Sequence, residues 1–305
     1  MDFLSHYISE PLIHALGWTV LHSLWQGSLV AIVMALILSN LQKKSARLRY
    51  EIASLSLFLV FILSLSTFIL LYESAEQQAA QAFYPEESFL LMQLEVQTSF
   101  FQDSLQRGVE YFNQSLPLIV TFWLVGALFF AMRLLGGLAY VQHLKYNDNE
   151  LLPDFWQDQM RRLARQLRMK QHIELLESRL VTVPMVIGFF KPVILLPLGA
   201  INSLTEKEVE AILAHELAHI ARYDFLLNIV LSLIEVLFYY HPAVWWISAN
   251  VRLERENCCD DVAVQLCGNS LVYAQALVSL QEMSRHQPIP TFAMTLLGSQ
   301  HQLLN

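Results

Sequence analysis

The amino-acid sequence predicts an α-helical, polytopic membrane protein that carries an α+β domain on the cytoplasmic side. Of its 305 residues, 55% are hydrophobic and only 15% are charged, a composition too apolar for an ordinary soluble protein. Apolar segments at 18–38, 53–72 and 116–140 are each long enough to cross a bilayer. After residue 141, short β-branched runs and amphipathic helices replace the long apolar segments, which is typical of a folded domain.

The charges between the spans predict the topology. The first two spans are joined by a short segment with four cations: Lys43, Lys44, Arg47 and Arg49. By the positive-inside rule this segment is cytoplasmic and the N-terminus lies outside. No basic region precedes the first span and no small-residue cleavage site follows it, so we expect a retained anchor and not a removed signal.

The predicted organisation therefore has four parts in an inner or plasma membrane. Residues 1–72 hold two transmembrane helices and the basic loop, and 73–115 form an acidic extracytoplasmic loop. The third transmembrane helix is 116–140, and 141–305 form the cytoplasmic domain. The net charge of −8 argues against direct nucleic-acid binding, and three late cysteines imply no disulfide framework.

Two or three strands are expected between 173 and 198. Val181 to Gly188 and Pro192 to Pro197 are β-branched runs bounded by proline and glycine. An exposed strand edge there would suit main-chain pairing with an extended peptide, although plain scaffolding explains the pattern equally well.

The strongest chemical signal is the motif His215-Glu216-Leu-Ala-His219. Residues four apart share one helix face, so both imidazoles can reach one ion, and Glu216 beside them can act as general base toward a water. Thr205 to Glu208 fits a capping box that would start this helix. The pattern predicts one catalytic zinc ion per chain, against the alternative of an ordinary amphipathic helix with core histidines.

A catalytic zinc site usually takes a third protein ligand. Glu256 and Asp260 are four apart and can face one side of a helix, with Glu256 as ligand and Asp260 orienting a histidine from behind. Glu254 lies off that face and is expected to be solvated, and Cys258 and Cys259 are expected to be buried small hydrophobes. The full set of candidates also includes Asp224, Glu235, His241 and Asp261.

The apolar segment after the motif raises a question of topology. One crossing there would place Glu256 and the histidines on opposite sides of the membrane, where they could not share an ion. Pro242 offers a break in the segment. We therefore expect a hairpin of two helices, roughly 224–240 and 243–266, which associates with the membrane without crossing it and in which Glu235 faces protein or water.

Four stretches together resemble one family: PMVIGFFKPVILLP before the motif, HELAHIARYD itself, HPAVWW from His241 to Trp246, and ERENCCD from Glu254 to Asp260. The chain resembles the BlaR/MecR-type integral-membrane zinc metallopeptidases. That resemblance implies a cytoplasmic gluzincin-type metallopeptidase domain with His215, His219 and Glu256 as zinc ligands, Glu216 as base and Asp260 behind the ligands. Receptor members continue into a further span and a penicillin-binding sensor domain, which these 305 residues lack, so β-lactam sensing is left open.

The resemblance also implies an endopeptidase that cleaves itself or a regulatory protein such as a transcriptional repressor, in signalling that controls transcription. The alternatives are a membrane quality-control protease and a non-catalytic receptor with a structural zinc. Tyr223, Tyr240 and His241 are candidate oxyanion stabilisers, although packing roles suit them too. Expected partners are a protein or peptide substrate and the lipid bilayer, and a homodimer stays open.

Overall fold

Three long helices occupy the N-terminal half of the chain. In the computed structural model, which describes residues 9–82 and 100–285, they are α1 (Glu10–Asn40), α2 (Ala46–Ala82) and α3 (Phe100–Tyr146). Each contains a stretch long and apolar enough to cross a membrane, within Glu10–Asn40, Ala46–Gln77 and Glu110–Tyr146. The three expected apolar spans are thus confirmed as helices, and all three helices run beyond the predicted limits.

The segment expected to be an acidic loop, 73–115, is helical wherever the structure describes it. Helix α2 continues to Ala82 and α3 begins at Phe100. The part of the loop between 83 and 99 lies outside the described residues, as do 1–8 and 286–305.

The contacts divide the chain into two compact units. Among the described residues, the first contains 9–42, 53–82, 100–130 and 238–247, and the second contains 43–52, 131–237 and 248–285. In the first unit, Gly27 lies so close to the His241 ring that a side chain there would clash with it, and Gly126 makes the same close approach to Tyr239. The missing Cβ atoms let these elements pack closely.

A small mixed sheet lies in the second unit. Its strands are β1 (Asn149–Leu151), β2 (Glu174–Ser178), β3 (Met185–Ile187) and β4 (Val193–Pro197), in the spatial order β1-β2-β4-β3. Strands β2 and β4 are parallel and the other two pairs are antiparallel. Three strands fall in the 173–198 region, as predicted. The short β1 carries only three residues and has no hydrophobic pattern that would reveal it.

Six further helices follow α3 in the chain, and they lie in the second unit except for the first six residues of α8. They are α4 (Asp154–Gln166), α5 (Ala200–Ser203), α6 (Glu206–Ala221), α7 (Asp224–Leu237), α8 (Pro242–Cys267) and α9 (Ser270–Arg285). One hydrophobic core joins β2 and β4 to α6, through Leu175, Ile194 and Leu213, and extends to Ala263 and Tyr273 on the last two helices. The motif helix α6 is therefore held on several sides.

Helices α7 and α8 are close to the expected pair. The first ends at Leu237, three residues earlier than predicted, because a turn follows in which the His241 N–H donates to the carbonyl of Phe238 at 2.9 Å. Pro242 is the first residue of α8, a position where its missing N–H costs nothing. Helix α7 has 14 residues, which rise about 21 Å and so fall short of a ~30 Å hydrocarbon core.

A salt bridge connects the two helices. Arg252 donates through Nη2 to both carboxylate oxygens of Glu235, at 2.5 and 2.7 Å. Glu235 therefore faces protein, as the hairpin prediction requires.

Candidate metal centre

The motif helix begins at the predicted cap. The Thr205 N–H donates to Glu208 Oε2 at 2.8 Å, and the Glu208 N–H donates to Thr205 Oγ1 at 3.4 Å, which forms a complete capping box. The hydrogen bonds from Thr205 hold the pKa of the Glu208 carboxyl below its usual value. Ten residues of α6 are buried, among them His215 and Glu216.

Three ligand atoms meet between α6 and α8. His215 Nε2 is 3.1 Å from His219 Nε2, and Glu256 Oε2 is 3.6 Å from the first and 3.5 Å from the second. Bonds of about 2.0–2.2 Å to one tetrahedral ion would place ligand atoms roughly 3.3–3.6 Å apart. The two separations to Glu256 lie in this range and the separation of the two imidazole nitrogens is slightly below it, so the three atoms suit a zinc ion.

The Nδ1 atom of each histidine, on the far side of the ring from Nε2, contacts a carboxylate. His219 Nδ1 is 2.9 Å from Asp224 Oδ2, and His215 Nδ1 is 3.1 Å from Asp260 Oδ1. A carboxylate that accepts the Nδ1 proton leaves the Nε2 lone pair free for a metal and fixes the orientation of the ring. Asp260 therefore lies beside His215, and its role of orienting a zinc ligand stays a prediction. Asp224, a candidate third ligand in the sequence, lies behind His219 instead.

Tyr273 on α9 is a site residue that the sequence did not reveal. Its hydroxyl is 2.9 Å from His215 Nδ1 and donates to Asp260. Burial raises the pKa of Tyr273, with the nearby Asp260 carboxylate adding to the effect, so the phenol stays protonated and can donate. No motif marks this tyrosine, because it lies 58 residues from His215 on a different helix.

The second oxygen of Glu256 is also held in place. Arg255 is 4% exposed, and its Nε and Nη2 donate to Glu256 Oε1 at 3.3 and 3.2 Å. Burial alone would raise the pKa of Glu256, but the neighbouring His215 and His219 and the charge of Arg255 outweigh it, so the pKa is lowered. Glu256 is therefore an anion with Oε2 directed at the two histidines.

The expectation that Glu254 is solvated is wrong. Glu254 is buried, and its Oε1 accepts from Arg49 Nε at 2.8 Å in an ion pair with little exposure on either side. Helical spacing correctly predicted that Glu254 is not on the helix face that carries Glu256 and Asp260. It could not show which residues pack against the opposite face. The other candidates are also absent from the trio of ligand atoms: Glu235 pairs with Arg252, and Asp261 is exposed.

The cysteines are free, and Cys258 and Cys259 are buried, as expected. Cys259 Sγ lies 3.4 Å from His219 Nδ1 and 3.5 Å from Asp224 Oδ2, so these three residues form a second group of potential metal ligands. Burial raises the pKa of Cys259, and it raises that of Cys258 to about 11. Cys259 contacts His219 at Nδ1 and not at Nε2, so we interpret Cys259 as packing behind His219.

Glu216 is 2% exposed on α6, directly after the first histidine. Its place next to His215 in the chain makes it the candidate for proton transfer with a water, and this role stays a prediction.

The three candidate oxyanion stabilisers have other surroundings. Tyr223 is half exposed, with a positive φ of 59°, and its ring centroid is 5.3 Å from that of Phe189. Tyr240 and His241 belong to the first unit, where the Tyr240 hydroxyl is 2.7 Å from Ser23 Oγ and His241 Nε2 is 2.9 Å from the Ser23 carbonyl oxygen. Their catalytic roles stay predictions.

Comparisons with known proteins identify one peptidase family. A family model described as BlaR1 peptidase M56 matches residues 11–305. Regulatory protein BlaR1 of Bacillus licheniformis is 34% identical over 95 residues, which cover 31% of this chain and 16% of that protein. The methicillin resistance mecR1 protein of Staphylococcus aureus is 31% identical over 91 residues, or 30% of this chain and 16% of that protein. The matched segments thus span well under two thirds of the length of these relatives.

Proposed function

This chain belongs to the BlaR1 peptidase M56 family, and from that premise we propose that it is a membrane-embedded zinc endopeptidase. The observation that carries the proposal is the convergence of His215 Nε2, His219 Nε2 and Glu256 Oε2. A non-catalytic receptor with a structural zinc is less well supported, because structural sites are usually closed by a fourth protein ligand.

The residues suit a metal-assisted hydrolysis. A bound zinc ion would supply Lewis-acid polarisation of the peptide carbonyl and a lowered pKa for water. Glu216 would accept a proton from the attacking water and deliver it to the leaving amine. Asp224, Asp260 and Tyr273 would hold both imidazoles in the tautomer that leaves Nε2 unprotonated, while Arg255 keeps Glu256 turned toward them.

The proposed site faces the cytoplasm. The basic loop after α1 indicates the inner side of the membrane, and residues 43–52 belong to the same compact unit as the ligand helices. The ion pair between Arg49 and Glu254 joins that loop region to α8, two residues before Glu256. These contacts support a cytoplasmic catalytic domain with the N-terminus outside.

The substrate would bind as an extended peptide along β3. This strand is at one edge of the sheet and pairs only with β4 among the described residues. It also packs against α6, so a peptide added to its outer edge would run beside the motif helix. Main-chain pairing would hold the substrate with little demand on its side chains.

We propose a regulatory protein as the substrate, either a transcriptional repressor or the chain itself. The support is the family, together with the names of two relatives as a regulatory protein and a methicillin resistance protein. The alternative is general quality control of membrane proteins. The two roles differ in how many different proteins are cleaved.

Both roles can be tested by mapping the new protein N-termini that cleavage creates, in cells that carry the wild type and in cells that carry Glu216→Gln. A few cleavage sites in one regulator or in this chain would support the regulatory role. Cleavage of many unrelated membrane proteins would support quality control, and no difference between the two strains would contradict proteolysis altogether.

A further inference from the structure

The first residues of α2 contact α8 and the C-terminal end of α6, the two helices that carry the proposed metal ligands. Helix α2 begins at Ala46, and Arg49 and Tyr50 lie in its first five residues. Both side chains are only partly exposed, and residues 43–52 pack in the same compact unit as α6 and α8. The same helix continues from this turn into the second apolar span.

Arg49 forms the contact with α8. Its Nε donates to Glu254 Oε1 at 2.8 Å, and the two side chains are only 17% and 10% exposed. Glu254 Oε2 in turn accepts from Asn257 Nδ2 at 3.1 Å, so the carboxylate is fixed on both sides. This pair holds the turn of α8 that carries Glu256.

Tyr50 forms the contact with the end of α6. The guanidinium carbon of Arg222 lies 4.6 Å from the centroid of the Tyr50 ring, a cation–π distance. Arg222 Nε is 3.6 Å from Asp224 Oδ1, and Asp224 Oδ2 is 2.9 Å from His219 Nδ1. A continuous path of contacts therefore leads from Tyr50 to the ring of the second histidine.

We propose that Arg49 and Tyr50 are positioning residues for the metal ligands, so that the cytoplasmic end of α2 sets the metal affinity of the site. The inference rests on the proposed zinc site. Arg49 would act on Glu256 through Glu254, and Tyr50 would act on His219 through Arg222 and Asp224. Neither residue touches the metal or the substrate.

Arg47 provides a matched control on the same turn. It is also an arginine paired with a glutamate, at 2.9 Å from Glu51, but its side chain is 80% exposed and its partner is 50% exposed. Exposed pairs of this kind contribute little. Removal of Arg47 takes away the same charge from the same turn without touching α6 or α8.

The experiment measures the zinc dissociation constant of the full chain in detergent by competition with a chelating dye. We expect Arg49→Ala and Tyr50→Leu each to weaken zinc binding about tenfold, the lower end of the range for residues behind metal ligands. Arg47→Ala should stay within about twofold of the wild type. Tyr50→Phe keeps the ring face against Arg222 and should lose less zinc affinity than Tyr50→Leu. The charge-swapped double variant Arg49→Glu, Glu254→Arg should bind more tightly than either single variant.

A purely structural role would lower the Tm of Arg49→Ala without changing the zinc affinity of the folded protein, and that result would overturn the inference. Equal effects of Arg47→Ala and Arg49→Ala would also overturn it, since they would indicate a general charge effect. Failure of the wild type to bind zinc through His215 and His219 would instead defeat the proposed function, so the two failures can be told apart.

Discussion

His219 Nε2 lies 3.5 Å from Glu256 Oε2, although the two residues are on different helices with the apolar α7 and a turn between them. Both side chains must lie on the same side of the membrane to share an ion. Helix α7 has 14 residues, fewer than the about 20 that one crossing requires, which favours the predicted hairpin.

The general base provides the first prediction. Glu216→Gln keeps the shape of the side chain but removes the proton acceptor, so the cleavage rate should fall by about 10²- to 10⁴-fold while zinc content stays at one per chain. Peptide cleavage and metal analysis on the same purified sample check both parts. Glu210→Gln, a change at a partly exposed position on the same helix, should retain the wild-type rate. Wild-type cleavage by Glu216→Gln would show that the mechanism is wrong.

The third ligand provides the second prediction. Glu256→Ala should weaken zinc binding at least about 100-fold more than Glu254→Ala, because Oε2 of Glu256 faces both histidines whereas Glu254 pairs with Arg49. Chelator competition on the two purified variants gives the ratio. A similar loss in both, or a greater loss with Glu254→Ala, would mean that the ligand is misassigned.

Tyr273 provides the third prediction. Tyr273→Phe removes the hydroxyl that contacts His215 and Asp260 but leaves the buried ring in the core. We expect zinc affinity to fall about tenfold with little change in Tm. Tyr146→Phe, at a position that is 74% exposed, is the control and should bind zinc normally. Unchanged affinity in Tyr273→Phe would show that the phenol only packs.

Topology provides the fourth prediction. The native Cys258 and Cys259 are buried, so an exposed reporter on the same helix is needed, and Asp261→Cys supplies one. An impermeant thiol reagent should label Asp261→Cys in inside-out vesicles and leave it unlabelled in right-side-out vesicles. Glu73→Cys, in the segment expected outside, should give the opposite pattern. Labelling of Asp261→Cys from outside would exclude both the hairpin and a cytoplasmic site.

The cap of α6 provides the last prediction, which concerns pH. The lowered pKa of Glu208 means that its contribution to stability is present above the unfolded-state value of 4.5 and is lost as pH falls through the folded-state pKa. Thr205→Ala removes the partner and should cost about 1 kcal/mol of unfolding free energy at pH 7, or roughly 2 °C in Tm. The difference from wild type should shrink at pH values below the folded-state pKa. A difference in Tm that is constant with pH would contradict the assignment of Glu208.

The sequence by itself determined the features that depend on neighbouring residues. The three apolar helices follow from composition over about twenty residues, and the motif helix follows from its cap and its apolar spacing. His215 and His219 share a face because they are one helical turn apart, and Glu256 and Asp260 do so for the same reason. These local relations required no knowledge of how the chain folds back on itself.

Only the tertiary structure decided which groups surround the ligands. In the sequence Asp224 was one of several candidate third ligands, and the structure places it against His219 Nδ1 instead. Tyr273 belongs to no motif, so only the fold reveals its contact with His215. Glu254 was wrongly expected to be solvated, because the sequence of its helix gives no information about the distant Arg49 that pairs with it. The physical reason is that burial and charge pairing arise between elements far apart in the chain, whereas helical periodicity specifies only which residues of one helix share a face.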